Sequence, residues 1–236
     1  MKQVLGVCGA IAALGVGASS ASAYPSPSFG GCQLDGNAKF SKPLTVNQPT
    51  PSVTAPNGVP PSNNLLDVDW GAAWNYTFDG DLTGCQAANS SGPDSSAPAS
   101  GKIYAGEPIK IAGTSYDNPF GAPSGTGGCT GSNTNGKSIV VWADNSVSII
   151  DYSTTGALAA VGLTGNFESG SFTFASTAKN LDGTPVSTRT VALRYGDDYA
   201  GGPLAFEPAD PTACNGAGVP DAAIQGFIGE GYLQTD

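Results

Sequence analysis

The chain contains no histidine, and its single methionine is the initiator. Without histidine there is no Ser-His-Asp or Cys-His nucleophilic machinery and no imidazole ligand for zinc, iron or haem. The commonest general base near neutral pH is missing too, so any chemistry would fall to carboxylates, lysine, tyrosine or a bound cation. Charge is scarce: 9 Lys and Arg stand against 19 Asp and Glu in 236 residues, a formal net charge of −10. Nucleic acid and anionic membrane surfaces are held by clustered Lys and Arg, and this chain has no such cluster. The acidic excess is read as solubility through self-repulsion. Amphipathic helix patterns are missing as well. Residues 157–163 (ALAAVGL) and 222–228 are the only helix-leaning patches, and glycine interrupts both.

What is present begins with a leader. Lys2 opens it, Val4 to Val16 form an apolar run of small residues, and Ala21-Ser22-Ala23 offers the small side chains that a signal peptidase requires. Residues 1–23 are therefore expected to be a secretory signal peptide, too short for a transmembrane anchor. Residues 24–236 are expected to form one secreted domain. Its balance of eight basic and 19 acidic residues gives a net charge of −11. The composition resembles that of exported proteins from high-GC bacteria, a likeness that carries no activity.

Export changes the meaning of the cysteines. Cys8 leaves with the leader, and Cys32, Cys85, Cys129 and Cys214 remain. Four cysteines in an oxidising compartment imply two disulfides with three possible connectivities. Pairing Cys32 with Cys85 and Cys129 with Cys214 closes one half of the chain each and is the preferred arrangement. With no CxxC pair and no histidine, a zinc site is not expected, nor is any other cofactor.

Thirty-four glycines and 18 prolines among many Ser, Thr and Asn indicate short strands joined by turns. Trp74, Tyr76 and Phe78 alternate with Asn75 and Thr77, the period of a strand with one buried face. Residues 139–142 (IVVW) read as a strand buried on both faces. Asp144-Asn145 turns it into a strand where Val147 and Ile149 share a face, and Thr154-Thr155-Gly156 is expected to turn the chain again. Ile109 and Ile111, Phe172 and Phe174, Val191 with Leu193 and Tyr195, and 227–233 mark further strands, with a hairpin signal at Asp182-Gly183. One more strand is expected near 38–46, pinned by Cys32. The Pro-rich stretch 43–64 is expected to be extended surface chain, and 86–100 and 113–136 to be long loops. The whole predicts an all-β, single-domain, loop-rich antiparallel sandwich of Greek-key or immunoglobulin-like kind.

Several motifs match chemistry without its context. Residues 131–138 (GSNTNGKS) satisfy GxxxxGK[ST], yet a phosphate-binding loop needs a strand before it and a helix after it. Here a loop precedes and β-branched residues follow, so a Gly/Asn-rich turn is expected and no nucleotide. Ser176-Thr-Ala-Lys179 fits SxxK, but it continues a strand that would put the two side chains on opposite faces. Asp79 to Gly84 resembles the front of a calcium loop, whose twelfth position would be Ser90 in place of glutamate. A turn is expected there, and no metal.

Paired carboxylates could cleave a glycosidic bond without histidine. Of the four glutamates Glu107, Glu168, Glu207 and Glu230, Glu168 is the first candidate acid, against a plain reading as a solvated strand end. Trp74 and Trp142 are expected to be buried, which leaves Trp70 to test for sugar stacking. Asn75 and Asn89 fit the glycosylation sequon. No catalytic set emerges. The expectation is an exported, non-enzymatic structural or interaction protein of the cell envelope or extracellular space, with a glycan or protein as ligand. The alternative is a carbohydrate-binding or carboxylate-dependent glycan-hydrolysing protein.

Overall fold

The structure, a computed structural model, describes residues 29–46, 73–87, 98–157 and 159–229. The proposed leader, most of the Pro-rich stretch, Trp70, Asn89, Ser90 and Glu230 lie outside the described residues. Thirteen strands follow in order: β1 (Phe29–Leu44), β2 (Ala73–Ala87), β3 (Ser100–Ala105), β4 (Ile109–Ile111), β5 (Thr114–Tyr116), β6 (Ser124–Gly128) and β7 (Gly131–Trp142), then β8 (Val147–Ala157), β9 (Ala160–Phe167), β10 (Ser171–Ala175), β11 (Thr188–Ala192), β12 (Gly202–Pro208) and β13 (Val219–Gly229). A 3₁₀ turn, Ala213–Asn215, precedes β13.

The expected sandwich is overturned. Eight strands run in the order β1-β13-β12-β9-β8-β7-β3-β2, and β2 pairs back onto β1, so the antiparallel sheet closes into a barrel. A sandwich has four free sheet edges, whereas closure leaves none. Strand β6 fills in beside the short β3, pairing with the start of β2 and the start of β7.

Alternation sorts the side chains. On β2, Trp74, Tyr76, Phe78 and Leu82 are buried in the barrel, while Asp79 and Asp81 face outward. On β1, Leu34 and Ala38 point in, while Asp35, Asn37 and Lys39 are exposed. Charged outward positions are the reverse of the apolar outer band of a membrane barrel. No helix among the described residues is long and apolar enough to cross a membrane.

Glycine makes the closure possible. Gly36 of β1 faces Gly80 of β2, and the ring of Phe78 lies over both. A Cβ built on Gly36 would sit 2.5 Å from the Asp79 carbonyl oxygen and 2.6 Å from Phe78 Cζ. The first of these is backbone and cannot swing away, so the two strands can approach this closely only without a side chain. Gly36→Ala is therefore expected to cost about 1–3 kcal/mol, the usual range for overpacking. That corresponds to a melting temperature lower by roughly 3–10 °C in calorimetry. An unchanged melt would show that the β1–β2 seam parts freely.

Residues 139–142 are buried on both faces, as their apolar run suggests. Val140 and Trp142 enter the barrel, while Ile139 and Val141 face outward into a second cluster. That cluster adds Val147 and Ile149 of β8, and it is covered by Ile109 and Ile111 of β4, Tyr116 of β5 and Phe174 of β10. The small β4–β5 and β10–β11 hairpins thus coat one outer side of the barrel wall. Both disulfides take the preferred pairing, Cys32–Cys85 and Cys129–Cys214.

Other local expectations are corrected. Ala157 ends β8, residues 160–163 lie in β9 and residues 222–228 in β13, where long-range pairing overrides their weak helix preference. Strand β8 runs on through Thr154 and Thr155 to Ala157 in place of turning, because Thr154, Thr155 and Gly156 each have a ladder partner on β7. The last strand starts at Val219, well before residue 227. The expected loop 113–136 holds β5, β6 and the first half of β7. Val191 and Leu193 pack against the outer cluster, but Tyr195 has φ 63° and swings into the barrel end.

Candidate functional site

The two ends of the barrel differ. One is plugged by aromatic rings: Phe29 meets Phe167 edge-on at 4.9 Å, and Tyr195 lies 5.2 Å from Phe29 and 5.4 Å from Trp142. The indole Nε1 of Trp142 donates to Ser148 Oγ at 2.9 Å, and that hydroxyl donates to the Arg194 carbonyl at 2.8 Å. The backbone N–H of Phe29 donates to the Asp198 carboxylate at 2.8 Å, which fixes the start of β1 over the plug. Burial raises the Asp198 pKa above its ordinary value, and this hydrogen bond opposes the rise.

Toward the other end several inward side chains are only half-buried, beside the fully buried Leu44 and Trp74. Phe40, Val161, Leu163, Phe206 and Ile224 form this half-buried rim. Between rim and plug lies a cavity of about 90 Å³. Its wall includes Leu34 and Ala38 of β1, Ile103 of β3, Ile150 of β8 and Leu204 of β12, all supplied by the inward phase of their strands. Eight-stranded barrels leave an interior that side chains fill or that holds one small ligand. Here the small inward residues Ala38 and Ser138 leave space that larger ones would occupy.

One sector of the wall is polar. The phenol oxygens of Tyr76 and Tyr152 are 2.6 Å apart. Tyr76 also meets Thr134 Oγ1 at 3.3 Å, and Thr134 meets Thr154 Oγ1 at 2.7 Å. Strand β7 brings Thr134 between β2 and β8, because Thr134 is the cross-strand partner of Thr154. Burial lifts the Tyr76 phenol above its ordinary pKa, and the bonds to Thr134 and Tyr152 partly offset that. Burial, reinforced by the neighbouring Tyr76, pushes Tyr152 well above its ordinary value. Both phenols are therefore protonated throughout the physiological range. Among the described residues, no Lys, Arg, Asp or Glu lines the cavity.

The motif residues are placed elsewhere. Residues 131–138 form extended β7, whose backbone is paired to β6 and β8 and so cannot curl around a phosphate. The expected turn there is a strand. Residues 79–84 likewise lie inside β2, with Asp79 opposite Asn37 and Tyr104, so the expected turn is absent. Asp81 accepts from Lys102 Nζ at 2.6 Å on the outer wall. Among the described residues no cluster of metal-ligating side chains occurs.

In the SxxK match, Ser176 Oγ accepts from the Ala178 N–H at 3.1 Å. Lys179 Nζ turns back to the Ser176 carbonyl at 3.0 Å and to Asp117 at 2.5 Å. After β10 the segment continues only as isolated bridges, Ser176 to Tyr116 and Lys179 to Pro185, and the ammonium meets a carbonyl where a general base would need the hydroxyl.

Glu168 is on the outside, hydrogen-bonded to Lys137, whose ammonium also lies 3.7 Å from Asp151. A lysine between two carboxylates occupies the place a glycoside would need. Trp74 and Trp142, at 3% and 2% exposure, offer no stacking surface. The hydroxyl cluster escaped the sequence reading, since Thr134 lay in a Gly/Asn stretch and Thr154 in an expected turn. The one signal was Tyr76, in phase with Trp74 and Phe78. No family model, curated protein or solved structure matches this chain.

Proposed function

We propose that this chain is an exported, non-enzymatic binding protein that holds a small, predominantly apolar molecule inside its barrel. The observation that carries the reading is the apolar cavity with a hydroxyl sector, between a plugged end and a half-buried rim. Pockets for small molecules are mostly apolar, with a few convergent polar groups that set orientation. Two disulfides and a leader of secretory type support a place outside the cytoplasm. The histidine-free composition supports binding over catalysis.

The test is thermal unfolding with a small hydrocarbon such as cyclopentane. At a concentration 100 times Kd, binding to the folded state alone adds about 2.7 kcal/mol. For a chain of this size the melting temperature should rise by roughly 5–10 °C. Ala38→Leu, which fills the cavity from an inward position 3% exposed, should remove that response. Equal responses in both proteins would place the ligand elsewhere and end the reading.

A further inference from the structure

The hydroxyl sector restricts what the cavity can hold, and the argument rests on the binding reading above. Tyr152, Tyr76, Thr134 and Thr154 form a line of four hydroxyls joined by three contacts of 2.6, 3.3 and 2.7 Å. Each hydroxyl owns one proton and can accept twice. Three contacts consume three protons, so whichever way the line is oriented one proton remains unspent. At the Tyr152 end the phenol is 8% exposed and lines the cavity, whereas Thr154 at the other end is half-buried near the rim. When the line runs from Thr154 toward Tyr152, the spare proton lies on the Tyr152 phenol at the cavity wall. A bound acceptor oxygen there stabilises that orientation over the reverse one, which leaves the proton at Thr154 near the rim.

We propose that the bound molecule is a compact, uncharged ring or short chain with one acceptor oxygen, of the ketone or alcohol class, and that this oxygen lies against the Tyr76–Tyr152 pair. A carboxylate is excluded by the wall itself, which offers no cation to neutralise a buried charge. The acidic surface of the protein adds repulsion on approach. Size points the same way. A dry cavity of about 150 Å³ accepts benzene, so one of about 90 Å³ suits a molecule of only a few heavy atoms and not a long chain.

The experiment compares three matched probes, cyclopentanone, methylenecyclopentane and cyclopentanecarboxylate, on the intact protein and on Y76F/Y152F at pH 7. The native protein should bind the ketone and the hydrocarbon and leave the carboxylate unbound. In the double variant the ketone should weaken by about tenfold, the equivalent of one lost hydrogen bond, while the hydrocarbon binds as before. Hydrocarbon binding also reports that the variant is folded. Should the variant not fold, the native protein still decides through the infrared carbonyl band of bound cyclopentanone. The band is expected below its position in a hydrocarbon solvent, and a band at the hydrocarbon position would overturn the proposal. Equal weakening of ketone and hydrocarbon, or binding of the carboxylate, would overturn it while leaving the binding reading intact. If the native protein binds none of the three, the binding reading fails and takes this proposal with it.

Discussion

Trp142→Ala is expected to destabilise the protein by about 3–5 kcal/mol, the cost of emptying a large aromatic site in a packed interior. The indole is 2% exposed, sits 5.4 Å from Tyr195 and 6.0 Å from Phe29, and bonds Ser148 at 2.9 Å. Its six-membered ring lies over Gly101, where a Cβ would be 2.9 Å from Cε3. Neighbours cannot collapse into the space, because Gly101 has no side chain and the rings of Phe29 and Phe167 are held by β1 and β9. Ser148 keeps its bond to the Arg194 carbonyl, so the cost comes from lost packing more than from an orphaned hydroxyl. Urea unfolding should show the loss as a lower midpoint, with Trp142→Phe falling between the two. Val186→Ala, at a side chain 58% exposed, should leave the midpoint unchanged. A loss below about 1 kcal/mol at Trp142 would mean that the plug does not support the barrel end.

How much of this was legible in the chain depends on the distance over which the information acts. The phase of Trp74, Tyr76 and Phe78 is local, and it identified a buried strand face. The double burial of residues 139–142 was equally plain, although the second apolar partner turned out to be two hairpins coating the outside. Closure was not legible. Inward and outward alternation is the same in a sandwich and a barrel, and the difference lies in whether β1 pairs with both β13 and β2. That fact depends on contacts between residues some 190 positions apart, such as Asp35 and Gln225. The glycines gave a partial clue, since Gly36 and Gly80 fall in the inward phase where a sandwich core would favour larger side chains. The cavity depends on the same closure. Thr134 and Thr154 lie in polar stretches that suggest turns until β7 and β8 are set side by side.

The cysteines were the long-range feature that could be read, and the two bridges are expected to act differently when removed. Their spans of 53 and 85 residues enter the chain-entropy cost only logarithmically, so each contributes about 4 kcal/mol against the unfolded chain. In the folded state their surroundings differ. Cys32 and Cys85 join β1 and β2, which are already zipped from Gln33–Thr83 to Phe40–Tyr76. Without the bridge those strands remain partners. Cys129 and Cys214 join the β6–β7 turn to the 3₁₀ turn before β13, two segments with no ladder between them. Around that bridge the Val46 N–H donates to the Cys214 carbonyl at 2.9 Å, and the Cys129 N–H to the Thr45 carbonyl at 3.1 Å. These bonds hold the end of β1 near the half-buried rim. C32S/C85S and C129S/C214S should therefore lower global stability by similar amounts, each reading as a melting temperature roughly 8–16 °C lower. Only the second should also speed amide hydrogen exchange at Val46 and residue 129 under native conditions, because local opening there no longer works against a covalent tether. Equal exchange in the two variants would show that the rim is held by its strands alone.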